Sequence, residues 1–336
     1  MSRPHTPLIE PDEYFRTHAA PEELAVNEKA MELFVAKHRA AGRRIAVVTS
    51  GGTTVPLENQ TVRFIDNFSA GTRGATSAEY PFYHTYFLEL GYAVIFLHRQ
   101  FSLQPYSRHY THSKNCFLDY MGLGPDGQLT VDSQYSQKMK EVLTKYHKAK
   151  QEETLLMISF VTVTDYLFHL RSAAFIVGSM GEKALFYLAA AVSDFFIPAE
   201  KMVEHKIQSD GGGLTLTMEQ VPKVLKPLVT KWASQSFIIS FKLETDPEIL
   251  TTKARRALNR YGHKVVIGNL LTTRKQIVWF ITNDTEETVT LTNEQLAQGV
   301  EIESKIVPNL IERHTAFIES SGRLLSVSPK QTNLGV

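Results

Sequence analysis

A short apolar run at residues 45–49 passes without a break into Ser50-Gly51-Gly52-Thr53. A buried strand that ends in a turn almost free of side chains is the usual opening of an open α/β sheet, where ligands bind at the carboxyl ends of the strands. The same theme recurs downstream. Apolar runs at 93–97, 155–161, 185–192, 237–243 and 265–269 alternate with helical periodicity at 21–42, 134–149, 164–174, 247–261 and 300–317. Pro21 would stand at the first position of the first of these helices. A further helix is expected from Gly74 to Gly91, and a terminal strand pair at 276–282 and 288–291. Strands alternating with helices predict an α/β fold of three layers, a mainly parallel sheet with helices on both faces.

No internal repeat or linker divides the chain, so residues 21–320 are expected to form one domain. Residues 1–20 read as a loose leader and 321–336 as a loose tail. Residues 99–135, rich in His, Tyr, Ser, Gly and Pro, read as a long surface excursion. Residues 198–221 hold Pro198, three glycines and a short alternating strand at 214–218, and read as a projecting flap.

Composition narrows the function classes. A chain of 336 residues, 43% apolar, can fill a large core. Its formal charge of +1 argues against a broad nucleic-acid surface. The single cysteine, Cys116, cannot form an internal disulfide and fits a reducing compartment. The opening Met1-Ser2-Arg3-Pro4-His5 lacks the apolar core of a signal peptide, and no run approaches the ~18 apolar residues of a membrane span. A cytoplasmic protein with neither nucleic acid nor membrane as partner is expected.

The familiar catalytic signatures are missing. There is no Gly-x-x-x-x-Gly-Lys-Ser/Thr loop, no Gly-x-Gly-x-x-Gly after the first strand, no Gly-x-Ser-x-Gly and no zinc-spaced His/Cys cluster. His109, His112 and His205 are scattered. Four stretches and one pair of strand-end residues remain, each with two readings. Thr49 to Thr53 is either a cradle of N–H groups for a phosphate or a tight turn. Residues 63–75 either bind an anion at a helix start flanked by Arg63 and Arg73, or form a capped helix with exposed arginines. Residues 188–196 either leave room for a ligand beside Asp194, or are a close-packed strand whose Asp194 caps a turn. Residues 205–209 offer Lys206, either a catalytic cation or a solvated charge. Phe241 and Asn269, at two strand ends, either hold a base or belong to core and turn.

Taken in order, Ser50–Thr53, residues 63–74, 189–195, 205–209, 241–245 and Asn269 resemble phosphopantothenoylcysteine synthetases (phosphopantothenate–cysteine ligases) of the eukaryotic, single-function kind, over residues 44–318. The flavin decarboxylase domain of bacterial relatives is not expected here. The resemblance implies a sheet combining Rossmann-like and ribokinase-like topology, a dimerisation arm, and a homodimer with sites near the subunit interface. It implies the substrates 4′-phosphopantothenate and L-cysteine, with ATP as co-substrate, CTP as the alternative, and Mg2+. By that likeness Gly51, Ser69, Gly71 and Gly74 cradle the nucleotide phosphates, and Phe241 and Asn269 hold base and ribose. Asn67, Ala190, Ala191 and Asp194 meet the phosphopantothenate, and Arg63 reaches it from the neighbouring subunit. Asn67 donates to the acyl oxygen, and Lys206 neutralises phosphate charge. The His-Lys-Ile-Gln-Ser run departs from the lysine-rich bacterial pattern, and Ala70 stands where many relatives carry Ser. Two rival readings are a nicotinamide-dependent oxidoreductase, which the missing fingerprint disfavours, and a non-catalytic nucleotide-binding subunit.

Overall fold

The structure is a computed structural model that describes residues 9–79, 86–111, 116–209 and 212–326. Residues 81–84 of the helix expected to run to Gly91, His112, and most of the expected tail lie outside the described residues.

Eight strands form the central sheet: β1 (Ile45–Ser50), β2 (Ala93–Arg99), β3 (Leu155–Phe160), β4 (Ala184–Leu188), β5 (Phe237–Glu244), β6 (Val265–Leu270), β7 (Ile277–Ile281) and β8 (Glu286–Thr290). Their order is β8-β7-β6-β5-β4-β1-β2-β3. Every pairing from β6 across to β3 is parallel, and β7 and β8 add on antiparallel. The expected α/β class, mainly parallel with helices on both faces, is the one observed. The parallel strands are apolar on both sides because both sides are covered. In β1, Ile45 and Val47 enter one core while Ala46 and Val48 enter the other. The first core is covered by α1 (Pro11–Thr17), α2 (Leu24–Ala40) and α5 (Val163–Gly178). The opposite core is covered by α3 (Thr72–Ala78) and α7 (Glu303–Ser326), through Ala75, Ala78, Ile306, Val307 and Leu310. Two further long helices are α4 (Ser133–Gln151) and α6 (Pro247–Tyr261), the latter capped by Asp246 and stopped at Gly262. The free edge strand β8 presents Glu286 and Glu287, held by Arg255 and Arg313 at 3.1 and 2.7 Å.

Several expectations need correction. The leader is not loose throughout: α1 lies within residues 1–20, and its Tyr14 is fully buried. Phe15 packs edge-on against Phe168 and Trp232, and the Tyr14 hydroxyl meets Thr164 Oγ1 at 2.8 Å. Burying each such ring stabilises by roughly 1.5–3 kcal/mol, which outweighs the weak local helical signal. Pro21 does not open α2, which begins at Leu24 after a turn. The helix expected to Gly91 stops at Ala78. There Glu79 turns extended and its carboxylate, fully buried, takes the Arg108 guanidinium and the Tyr106 N–H. Arg108 also forks onto Glu301 at 2.6 and 2.8 Å, so the 99–135 excursion is pinned to the body at its root. In the flap, residues 214–218 form no strand; Phe195–Phe196 pairs instead with Glu219–Gln220.

Candidate active site

Because β1, β2, β4, β5 and β6 run the same way, their carboxyl ends and following loops share one edge of the sheet. The β1 turn is knitted to the loop after β4. Ala191 N–H donates to Gly51 O at 2.8 Å, and Thr53 N–H donates to Ala191 O at 3.0 Å. Two threonine hydroxyls complete the seam: Thr49 Oγ1 accepts from Ala190 N–H at 3.1 Å, and Thr53 Oγ1 from Ser193 N–H at 2.9 Å. Asn67 is fixed from the other side, its N–H donating to Thr53 O at 3.1 Å. Gly51, Gly52, Asn67, Ala190 and Ala191 therefore converge, as the sequence reading required of a common site. Backbone and hydroxyl hydrogen bonds hold these segments against one another.

The glycines are there for space. Gly51 has φ +87°, and a Cβ on it would sit 2.6 Å from Arg99 Cβ. A Cβ on Gly74 would sit 2.5 Å from Ser50 Cβ and 3.0 Å from Thr49 O, so α3 lies directly on the β1 turn. Gly71 has φ +80° and its carbonyl takes Ser50 Oγ–H at 2.9 Å. No side chain caps the first turn of α3, and Ser69 Oγ turns back to the Gly71 N–H at 3.3 Å. Of the two arginines flanking this loop, Arg73 is committed elsewhere, to Glu303 at 2.7 Å and to Arg274 O at 2.6 Å.

Phe241 and Asn269 lie on the same face of neighbouring strands, since Phe241 pairs with Ile267 and Asn269 is two residues on. Phe241 is half-buried and edge-on to Tyr187 at 4.8 Å; Tyr187 in turn meets Ser77 Oγ of α3 at 2.7 Å. Tyr187 is thus a strut between the α3 loop and the Phe241 platform. Burial pushes its hydroxyl pKa far up, so it serves only as a neutral hydrogen-bonding group. Asn269 is 6% exposed, and its Oδ1 has no hydrogen-bond partner among the described residues. A buried carboxamide oxygen left without a donor is uncommon, and it is free to accept an N–H or O–H.

At the flap, Asp194 is exposed and paired with Lys223 at 3.1 Å. Arg63 donates to the Ile207 carbonyl at 2.9 Å and to Glu58 at 3.0 Å. Glu58 is fully buried and also accepts the Val62, Arg63 and Ile207 N–H groups. Burial alone would raise its pKa, but these donors outweigh it and hold the carboxyl below its ordinary value. Glu58 thereby clasps the Arg63 loop to the segment carrying Lys206, which is itself exposed. Among the described residues no group of three or more His, Cys, Asp or Glu could hold a metal ion.

Sequence reasoning overlooked Glu58, Tyr187, Arg99 and Lys223, and the hydroxyl contacts of Thr49 and Thr53 within the stretch it singled out. Only the threonines carried a signal, a hydroxyl on each side of the glycine pair. Glu58 and Lys223 become legible only once the flap is folded back.

Residues 172–307 match the DNA/pantothenate metabolism flavoprotein C-terminal domain family. The human phosphopantothenate–cysteine ligase is 48% identical over 293 residues, spanning 86% of this chain and 92% of the human one. The phosphopantothenate–cysteine ligase CAB2 of Saccharomyces cerevisiae is 42% identical over 336 residues, spanning 93% of this chain and 88% of the yeast one. A solved structure of a histidine-to-alanine Cab2 mutant in complex with phosphopantothenate-cysteine superposes with a TM-score of 0.84 at 43% identity, over 93% of this chain and 99% of that one.

Proposed function

This chain belongs to the phosphopantothenate–cysteine ligase family, and we propose that it joins 4′-phosphopantothenate to L-cysteine in coenzyme A biosynthesis at the expense of a nucleoside triphosphate, ATP rather than CTP. The observation that carries the reading is the convergence of Gly51, Asn67, Gly71 and Ala190–Ala191 at one sheet edge with the unpartnered Asn269 oxygen beside Phe241.

A free carboxylate is a poor electrophile. In this reading the phosphopantothenate carboxylate attacks the α-phosphorus, giving an acyl-nucleotidylate and expelling pyrophosphate. The cysteine amine then attacks the acyl carbon and expels the nucleoside monophosphate, leaving the amide. Asn67 donates to the acyl oxygen, where charge develops as the amine adds to the acyl carbon; loss of one such donor typically costs ~10²–10³ in rate. Gly51, Ser69, Gly71 and Gly74 line the phosphates, and Phe241 and Asn269 hold base and ribose. The Asn269 oxygen suits an exocyclic amine, which both adenine and cytosine carry. Ala190, Ala191 and Asp194 flank the phosphopantothenate, Lys206 offsets phosphate charge, and Arg63 serves the neighbouring subunit's substrate phosphate. Exposed Val62, Phe64 and Phe68 beside Arg63 support a homodimer with that loop at its interface. Magnesium would arrive on the nucleotide, whose phosphates supply its ligands when a protein offers few carboxylates. Residence in the cytoplasm belongs to the same proposal; among the described residues, no helix is long and apolar enough to cross a membrane.

The test is pyrophosphate release by purified protein with magnesium, 4′-phosphopantothenate and cysteine, in parallel with ATP and CTP, with the amide product identified by mass. Release with formation of the cysteine amide is the expected result, faster with ATP. Silence with both nucleotides from folded protein would overturn the reading and favour the non-catalytic alternative.

A further inference from the structure

Arg99 is the last residue of β2, one step past the pairing of His98 with Ser50, and so abuts the β1 turn. Its backbone N and Cβ lie 3.2 and 2.6 Å from where a Cβ on Gly51 would be. Its carbonyl takes the Ser102 hydroxyl at 2.8 Å, and Ser102 Oγ is itself 3.2 Å from a Cβ on Gly71. The side chain crosses from this turn to Asp66, the neighbour of Asn67, and pairs through Nη1 alone. Both side chains are largely covered, 19% exposed for Arg99 and 29% for Asp66. Among the described residues the other guanidinium N–H groups have no partner. A guanidinium presents a rigid fork of five donors, and one carboxylate contact leaves an entire edge of that fork free.

We propose that Arg99 is a nucleotide-phosphate ligand of this site: its free edge binds phosphate oxygens at the Gly51–Gly71 cradle, while Asp66 holds the opposite edge in position. The assignment rests on the ligase reading and adds a residue to it. In the unliganded protein Asp66 keeps the half-covered cation compensated, which an isolated one would not be. When a triphosphate arrives, the guanidinium is already oriented and spans the two loops that meet it. It thus ties the phosphate end of the site to the loop bearing Asn67.

The test is calorimetric binding of ATP, and separately of inorganic pyrophosphate, to the full-length protein without phosphopantothenate, so that no turnover intervenes. Losing charge-assisted hydrogen bonds to phosphate should make Arg99→Met bind both about 10- to 100-fold more weakly. Arg99→Lys keeps the ion pair but loses the fork, and should also bind more weakly. Asp66→Asn removes the compensating charge but leaves the guanidinium fork, and should weaken binding less than Arg99→Met does. If the ion pair were only a structural tie, Arg99→Lys would match the wild type and Asp66→Asn would match Arg99→Met; either result overturns the assignment. Unchanged binding by folded Arg99→Met and Arg99→Lys overturns it alone and leaves the ligase reading standing. A wild-type protein that binds neither ATP nor CTP nor pyrophosphate overturns both.

Discussion

Replacing Gly52 by alanine tests whether the crevice works through the placement of Asn67. Gly52 does not have the positive φ of its neighbour Gly51, so its backbone accepts any residue and only space forbids one. A Cβ there would lie 1.6 Å from Asn67 O and 2.8 Å from Asn67 C. Restoring ordinary contact at 3.4 Å requires a displacement of about 3.4 − 1.6 = 1.8 Å. The movement must break the bond from Asn67 N–H to Thr53 O, because Thr53 is itself pinned to Ala191. Overpacking costs about 1–3 kcal/mol and the lost hydrogen bond about 0.5–1.5, together less than the ~5–15 kcal/mol of a typical fold. The protein should therefore remain folded. Catalysis should not survive so well, since a misplacement of ~1 Å can cost ~10²-fold. The assay is the steady-state rate of pyrophosphate release at saturating substrates, with circular dichroism to verify the fold. Gly213→Ala is the control, because among the described residues nothing lies within 4 Å of a Cβ there. A Gly52→Ala rate within about 3-fold of wild type, or equal to the control's, would refute the placement argument.

Further outcomes follow from the same geometry. Asn67→Asp should stall turnover by ~10²–10³ without unfolding the protein, measured as amide formation; near-normal activity removes Asn67 from the acyl site. Lys206→Ala should slow the pyrophosphate burst in rapid-quench experiments while leaving the melting temperature unchanged, and an unaltered burst would make Lys206 a bystander. His263 and His314 are pushed down to about 4 by burial. His314 donates from Nε2 to the Glu182 carbonyl at 2.7 Å and accepts the Tyr92 hydroxyl at Nδ1, also 2.7 Å, so it is held neutral. The unfolded chain binds these protons near pH 6.5 and the folded one only near 4, so their contribution is complete above about 6.5 and lost as pH falls toward 4. The loss is on the order of 3 kcal/mol per ring. Imidazole resonances should stay at their neutral positions down to pH 5, and a ring titrating near 6.5 in folded protein would contradict this.

What the sequence made legible is the part written in local pattern. Apolar runs ending in small residues located β1, β4, β5 and β6, and the parallel order then placed Gly51, Ala190, Phe241 and Asn269 on one edge. The unread parts depend on distant partners. α1 is helical because Tyr14 and Phe15 bury against α5 and Trp232, more than a hundred residues away. α3 ends early because Glu79 is drawn to Arg108, inside a stretch that shows no periodicity. Arg99 sits at the junction of a readable strand and an unreadable excursion. Its pairing with Asp66 depends on how that excursion returns past the β1 turn. Glu58 is the extreme case: a lone acid between Leu57 and Asn59 is ordinary surface sequence until Val203 and Ile207 pack beside it.

The antiparallel strand β8 ends the sheet, and its two adjacent glutamates stand where another backbone would have to approach. An open strand edge is a template for any other extended chain, including a second copy of itself. Each copy docking there would bring the same pair of carboxylates against its twin. The arginines that hold them leave the negative ends in place yet tie them down, so the edge stays rigid as well as repellent. A variant with valine at both positions should keep its chemistry while becoming prone to stack into fibres.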